Sequence, residues 1–308
     1  PPPPVCPPPP PVQPVQPVQA PPPPLPPPTG KPWLVIGIPT TPRDGHIDYL
    51  AHTLNYLLDQ LPANPASPMY GKVKILVLNN AHGKPHPVFD KAKAEYSQHP
   101  KALCFAVNNN PAGDNLQQRG SPNVPGPKVR QQTRDVADLL ELAADKGTYF
   151  LFMEEDFRLC PQGMFALQYL VDKANRLYPN WIVLRVSYGL NGAVIHSSDA
   201  ATLAAYYRKH VARRPPDHML VEWYAAETVE SKSYVKDRTH VTFRHNLLEH
   251  FGTVSSLRKQ RMGQFAGCYD TMDAGVLFEV EAFQVRQCGH DDITPCPAKD
   301  ADVPAIHW

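Results

Sequence analysis

Short runs of mostly apolar residues recur along the chain, and a helical or polar segment separates each run from the next. Each run is five or six residues long, too short for a stable helix and typical of a strand buried on both faces of a sheet. Regular alternation of such strands with helices predicts an α/β fold with a mostly parallel sheet and helices on both faces. The predicted strands span residues 33–38, 74–78, 102–107, 149–153 and 181–186.

Amphipathic stretches between the apolar runs predict the helices. In the first stretch, which extends from Tyr49 to Leu61, the apolar residues lie on one stripe at helical spacing. The segment 108–127, which is rich in Pro, Asn, Gly and Gln, is instead predicted to be a long loop. Asp217 follows two prolines and is predicted to be the N-cap of a further short helix. The remaining helices are predicted over residues 128–145, 163–175 and 200–210.

Proline dominates the start of the chain, where it accounts for 18 of the first 30 residues. Because proline fixes φ and donates no hydrogen bond, this segment is predicted to be an extended polyproline II stem, with a ligand for proline-binding modules as the alternative. The rest of the chain is long enough for one large core. The predicted organisation is a stem at 1–31, an α/β domain at 32–262 and a C-terminal extension at 263–308.

The charge balance and the cysteines narrow the class of protein. A net charge of +1 with scattered basic residues gives no footprint for nucleic acid. No apolar run approaches the roughly 18 residues that span a membrane, and a chain that begins at Pro1 leads us to expect an anchor upstream. The six cysteines have no C-x-x-C spacing, which argues against a zinc site. Cys268, Cys288 and Cys296 lie close together in the sequence. They are predicted either to form a disulfide or to remain ordinary thiols.

Three acidic residues, Glu154, Glu155 and Asp156, directly follow the apolar run 149–153. Ligands of open α/β sheets bind beyond the carboxyl ends of the strands. Carboxylates this close repel one another and are costly to bury, and a divalent cation removes both objections. Mg²⁺ and Mn²⁺ take one or two such carboxylates and complete their coordination with phosphate oxygens. The triplet therefore predicts a metal–diphosphate site, with a solvated acidic turn as the alternative.

Three segments carry a family resemblance in a shared order. The run KGTYFLFMEEDF, at 146–157, resembles the strand and acidic motif of the N-acetylglucosaminyltransferase IV family, which branches N-glycans. The segment IPTTPR at 38–43, with the helix after it, is similar to the family's first strand and helix. The segment TFRHNLLEHFGTVSSL at 242–257 resembles its late block. The resemblance extends over roughly residues 33–262.

The resemblance implies a GT-A-like, Rossmann-type fold and an inverting transfer of GlcNAc from UDP-GlcNAc to a glycan acceptor, by analogy an N-glycan mannose arm. It also implies Mn²⁺ or Mg²⁺ as cofactor and a location in the Golgi lumen, as a type II membrane protein. By position, Asp156 and His250 would bind the metal, and Asp217 would be the general base with Glu222 in reserve. The implied donor-binding residues are Thr40, Arg43, Gln132, Asp135, Glu154, Glu155, Ser255 and Ser256, with Arg258 beside them.

Several features leave other interpretations open. Glu155 stands where the family more often has Asp, and His218 follows Asp217 where relatives often have Trp. The extension 263–308 is too short for the C-terminal lectin domain of the animal members. Asp217 could act only as a helix cap and His250 only in packing. A transferase that uses another UDP-sugar for other glycoprotein or cell-wall glycans, and an inactive Pro-rich binding protein, are the alternatives.

Overall fold

The computed structural model describes residues 30–97, 103–254, 266–273 and 278–297, apart from 44, 46, 65, 112, 114–115 and 117–123. The predicted polyproline stem lies outside these ranges except for its last two residues, and so does much of the predicted loop 108–127. The boundaries proposed for the three parts of the chain therefore stay predictions.

The described residues form ten strands and eight helices, together with a 3-10 turn at Ser197–Asp199. The strands are β1 Leu34–Thr40, β2 Val73–Asn79, β3 Leu103–Val107, β4 Tyr149–Phe152, β5 Phe157–Leu159, β6 Val183–Arg185, β7 Ala193–His196, β8 His240–Phe243, β9 Leu248–His250 and β10 Ile293–Thr294. The helices are α1 Tyr49–Gln60, α2 Pro87–Tyr96, α3 Pro127–Ala143, α4 Gly163–Leu177, α5 Ala200–Lys209, α6 Pro216–Tyr224, α7 Val229–Val235 and α8 Val285–Cys288.

Eight of the strands form one sheet in the order β10-β8-β6-β7-β4-β1-β2-β3, and β5 pairs with β9 in a separate two-stranded sheet. The strands β3, β2, β1 and β4 are parallel, in the 3-2-1-4 order of the Rossmann type. Only β7 and β10 run against the other six strands of the described sheet. The predicted Rossmann-type α/β fold with a mostly parallel sheet is confirmed.

The sheet separates two hydrophobic layers. Alternate residues of β1 point to opposite sides, so that Ile36 lies in the layer that contains α1, α2 and α4, and Val35 lies in the layer that contains α3, α5 and α6. Gly37 leaves space for a neighbouring ring, because a Cβ at this position would lie 2.4 Å from the Phe150 side chain. The prediction of helices on both faces is confirmed.

Most of the predicted elements appear within a few residues of their expected bounds. The elements that were not predicted are the helices α2, α7 and α8 and the strands β5, β7, β8, β9 and β10. The prediction that Asp217 caps a helix is wrong, because α6 begins at Pro216 and its N-cap is Pro215. A proline at the first helical position is already in helical geometry, so the helix starts before Asp217, which lies in its first turn.

The C-terminal segment is attached to the domain at several points. The strand β10 pairs with β8 at the edge of the main sheet. Cys268 is bonded to Cys160 next to β5, and Cys288 is bonded to Cys296. Cys268, Cys288 and Cys296 therefore form disulfides and are not free thiols, although the partner of Cys268 lies outside the C-terminal segment. Cys6 lies outside the described residues. Within the described part of the chain, no helix has the length and apolar character needed to cross a membrane.

Candidate functional site

The acidic triplet lies at the carboxyl edge of the sheet, beside the end of β1. Thr40, the last residue of β1, is buried and donates its hydroxyl proton to Glu155. Its oxygen lies 2.9 Å from Nε2 of His86, and burial lowers the pKa of this histidine. Because the threonine proton points to the carboxylate, Nε2 of the neutral His86 donates to the threonine oxygen. The predicted donor residue Thr40 thus orients Glu155.

Arg43 bridges two members of the triplet. Its Nε donates to Glu155 at 3.0 Å and its Nη2 donates to Asp156 at 3.0 Å, with 8% of the arginine side chain exposed. Its Nη1 donates to the carbonyl oxygen of Val254, and the guanidinium lies 5.0 Å from the centre of the Tyr49 ring. Arg43 therefore supplies the positive charge that the buried carboxylates require.

Glu154 points to a different side of the edge from Glu155. Asn191 holds it in both directions, since the Glu154 amide donates to the Asn191 side chain at 2.7 Å and the Asn191 amide donates to the Glu154 carboxylate at 2.8 Å. Burial raises the pKa of Glu154 to about 7, and the charge of Asp156 adds to the rise. Asn191 was not predicted as a site residue, although an Asn-Gly pair after an apolar run marks a tight loop near a strand end.

Asp156 and His250 come together, as the resemblance implied. Nε2 of His250 lies 3.3 Å from Oδ2 of Asp156. Burial acts to raise the pKa of Asp156, but the His250 hydrogen bond and the charge of Arg43 outweigh it and lower this pKa. A carboxylate with an imidazole is a donor set that fits Mn²⁺. Within the described residues, no three His, Cys, Asp or Glu side chains are arranged to hold a metal ion.

The segment after β9 closes over Asp156. The amides of Phe251 and Gly252 donate to the Asp156 carbonyl oxygen at 3.1 and 3.3 Å. The amides of Thr253 and Val254 donate to the Tyr49 hydroxyl at 2.9 and 3.2 Å. The late block is therefore tied both to the triplet and to the first turn of α1. Ser255, Ser256 and Arg258, which were predicted to contact the diphosphate, lie outside the described residues.

A methyl group at position 252 should disturb this site. A Cβ there would lie 2.6 Å from Oδ2 of Asp156, so Gly252→Ala must displace the carboxylate from His250. If this edge binds UDP together with a metal ion, we expect the affinity for UDP in the presence of Mn²⁺ to fall by about 10–100-fold, which is the usual cost of losing the contacts that orient a metal ligand. Titration calorimetry with Mn²⁺ and UDP measures the change. Gly267→Ala is the matched control, because its Cβ would lie 3.3 Å from the Asp270 carboxylate. Equal affinities of the two variants would contradict the prediction.

The two candidates for the general base occupy different environments. Asp217 is half-buried in the first turn of α6, and its Oδ1 accepts from the amide of His218 at 3.0 Å. Among the described residues, its Oδ2 has no hydrogen-bond partner. Glu222 is fully buried, accepts from Tyr206 and from Arg213 at 2.7 Å, and forms a salt bridge with Arg214 at 3.2 Å. The partners of Glu222 hold α6 in place, whereas Asp217 keeps an oxygen available.

A second polar group follows the ends of β2 and β3. Oδ1 of Asp135, on α3, lies 2.9 Å from Nε2 of His82 and accepts from Gln131 at 2.8 Å. Burial raises the pKa of Asp135, while Gln131 and His82 oppose the rise. The predicted donor residue Gln132 is half-buried on the same helix, but its neighbour Gln131 makes the contact with Asp135. No contact joins this group to the triplet among the described residues.

The fold and the site together define a Rossmann-type α/β protein whose buried carboxylates, guanidinium and imidazole meet at the carboxyl edge of the sheet. Two curated relatives share 25% identity with this chain over 140 residues, and both are alpha-1,3-mannosyl-glycoprotein 4-beta-N-acetylglucosaminyltransferase C, from Sus scrofa and Mus musculus. The match covers 44% of this chain and spans 27% of the length of each relative. The resemblance predicted from the three motifs is confirmed. No family model matches the chain.

Solved glycosyltransferases are more distant. Mannosyltransferase PcManGT from Pyrobaculum calidifontis, in complex with GDP-Man and Mn²⁺, is 14% identical with a TM-score of 0.35, over 63% of this chain and 57% of that one. Mouse xyloside xylosyltransferase 1 is 7% identical with a TM-score of 0.37, over 68% of this chain and 83% of that one. Superpositions this loose assign neither a site nor a substrate.

Proposed function

We propose that this chain is an inverting, metal-dependent glycosyltransferase that moves GlcNAc from UDP-GlcNAc to a glycan acceptor, with an N-glycan mannose arm as the expected acceptor. The observation that carries the proposal is the pairing of Asp156 with His250 at the carboxyl edge of the parallel strands. The 4-beta-N-acetylglucosaminyltransferase names of the curated relatives support the choice of sugar.

In this proposal Asp156 and His250 hold Mn²⁺ or Mg²⁺, which when bound would neutralise the charge that develops on the diphosphate. Glu154 and Glu155 support the site from the two sides of the edge, and Arg43 keeps Asp156 ionised. The remaining proposed donor contacts are Gln132, Asp135, Ser255 and Ser256. The contacts of Thr40 and Arg43 with the triplet indicate that these two residues act by positioning carboxylates.

The transfer is a single displacement. The acceptor hydroxyl oxygen forms a bond to the anomeric carbon on the face opposite UDP, and the bond from that carbon to the β-phosphate oxygen breaks with its electron pair left on UDP. The hydroxyl proton passes to Oδ2 of Asp217, which later releases it to solvent. The products are UDP and a glycoside of inverted configuration. Glu222, whose carboxylate is already paired, does not take this role.

Asp217→Asn should separate transfer from donor binding. Because the amide cannot accept the hydroxyl proton, we expect kcat for transfer to fall by about 10²–10⁴-fold. The affinity for UDP should stay within about twofold, because no hydrogen bond or ion pair joins Asp217 to the triplet in the described part of the chain. Initial rates and calorimetry measure the two quantities. Transfer at the wild-type rate would contradict the assignment of Asp217 as the base.

The overall function is tested by hydrolysis of several UDP-sugars with and without Mn²⁺. The proposal expects turnover that depends on the metal and is fastest with UDP-GlcNAc. Selective hydrolysis of another UDP-sugar would remove only the assignment of GlcNAc. The absence of both turnover and UDP binding would overturn the hypothesis of an enzyme and favour a binding protein.

The same proposal places the protein in the Golgi lumen. The disulfides Cys160–Cys268 and Cys288–Cys296 are typical of proteins that mature in an oxidising compartment. Location of the tagged full-length protein by microscopy tests this, and a cytosolic distribution would contradict it.

A further inference from the structure

An aromatic pair stands directly beside Asp217. The rings of His218 and Phe278 meet edge to face, with their centres 4.9 Å apart and their planes at 85°. Phe278 is 51% exposed, although it belongs to the C-terminal segment that is otherwise attached to the domain. A single exposed apolar side chain is ordinary on a protein surface. The significance of Phe278 depends on how it is held and on what lies next to it.

The backbone of Phe278 is fixed by a turn on a buried ion pair. The amides of Glu281 and Ala282 donate to its carbonyl oxygen at 2.8 and 3.1 Å. The Glu281 carboxylate accepts from Nη2 of Arg185 at 3.1 Å, with both side chains almost fully buried. Burial raises the pKa of Glu281, while the charge of Arg185 opposes this rise. The exposed ring therefore has a rigid base, and the ring that it meets, His218, is the chain neighbour of the proposed catalytic carboxylate.

The same base is connected to the acidic triplet. Nη2 of Arg185 also donates to the carbonyl oxygen of Ser187 at 3.1 Å, in the loop between β6 and β7. Asn191, which holds Glu154, belongs to this loop. One loop thus links the metal side of the edge to the residues under Phe278. Because Arg185 is the last residue of β6, which runs in the same direction as β4, the residues under Phe278 lie at the same carboxyl edge of the sheet as the triplet.

We infer that Phe278, with His218 at its edge, is the platform on which the acceptor sugar ring packs beside Asp217. The inference rests on the proposed function and names the acceptor side of the same site. One face of a pyranose ring presents C–H groups, which pack on an aromatic surface, while its hydroxyls remain free to bond to a carboxylate. An exposed phenylalanine packed against His218, with an oxygen of the adjacent Asp217 that has no hydrogen-bond partner among the described residues, offers both contacts.

The platform is tested by binding and by kinetics on the full chain. Saturation-transfer NMR would use the methyl glycosides of α-mannose, β-galactose and β-N-acetylglucosamine, each with UDP and Mn²⁺. Acceptor KM and kcat would then be measured with the glycoside that binds. We expect Phe278→Ala to raise this KM by about tenfold with kcat changed less than about twofold, and Phe278→Trp to restore it. Phe165→Ala is the matched control, because Phe165 is 60% exposed in the first turn of α4.

The results of these experiments distinguish a failure of the platform proposal from a failure of the proposed function. Loss of the glycoside signal in Phe278→Ala, its retention in Phe165→Ala and its return in Phe278→Trp would support the platform. Equal glycoside binding and equal KM in Phe278→Ala and Phe165→Ala would overturn the platform. The platform would also be overturned if none of the three glycosides bound to the wild-type chain. If either of these results were found and the wild-type chain still hydrolysed UDP-sugars, the proposed function would stand without the platform. If the wild-type chain did not hydrolyse UDP-sugars, the proposed function and the platform would both be overturned.

Discussion

Asp156→Asn is expected to lower kcat/KM for transfer by at least about a thousandfold. The amide keeps the shape of the side chain but removes the charge that pairs with Arg43 and would hold a divalent cation. Loss of several kcal/mol of charge stabilisation on the leaving diphosphate corresponds to a factor of about 10³ or more. The measurement is the rate of UDP release with saturating UDP-GlcNAc and Mn²⁺, together with the Mn²⁺ dependence of UDP affinity.

A comparison with Asp291→Asn controls for loss of an acidic side chain outside the site. Asp291, in the C-terminal segment, pairs with Lys173 of α4. Burial acts to raise the pKa of Asp291, but the hydrogen bond from Lys173 helps to outweigh burial and lower this pKa. This variant should retain its activity at a temperature well below its melting point. If Asp156→Asn retained metal-dependent UDP binding at the wild-type affinity, the metal ligand would have to be sought elsewhere, beginning with Glu154.

Arg43→Ala is expected to lower the free energy of unfolding by about 3–5 kcal/mol, which is the usual cost of removing one partner from a buried ion pair. Two buried carboxylates, on Glu155 and Asp156, would lose their common positive charge. The carbonyl of Val254 and the Tyr49 ring would also lose a partner. Urea denaturation followed by circular dichroism measures the change.

Two further variants show whether burial is the cause. Lys209→Ala removes a salt bridge to Glu230 in which the lysine side chain is 63% exposed, so its effect should stay within about 0.5 kcal/mol. Arg43→Lys keeps the charge but lacks the planar fork that reaches both carboxylates, and should lie between the wild type and Arg43→Ala. A loss for Arg43→Ala as small as that for Lys209→Ala would refute the idea that Arg43 is the main counterion of the triplet.

The fold was predictable where burial determines composition. A strand covered on both faces carries few polar residues, so β1, β2 and β4 stand out as apolar runs. The helix α2 buries only Phe89, Ala92 and Tyr96, so its apolar stripe is too narrow to be recognised. The strand β7 has four residues and runs against its neighbours, and β10 has two. Elements this short are defined by their partners rather than by their own pattern.

The site was predictable in its centre and not in its surroundings. The acidic triplet is visible because three carboxylates follow a buried strand. Its partners are far away in the chain, since Arg43 lies 112 positions before Glu155 and His250 lies 94 positions after Asp156. Local patterns contain no information on such contacts, and Arg43 was therefore predicted to bind the donor rather than to pair with carboxylates. The roles of Asn191 and His86 depend on the fold in the same way.

The pairing of β10 with β8 has a consequence for how the protein is made. About fifty residues separate the two strands, and at roughly 5–20 residues per second their synthesis takes about three to ten seconds. During this interval the outer side of β8 has unpaired amide and carbonyl groups, which are a template for pairing with another chain. A nascent chain that pauses in this interval is therefore a substrate for chaperones, and release from them should require residues 293–294 to have been synthesised.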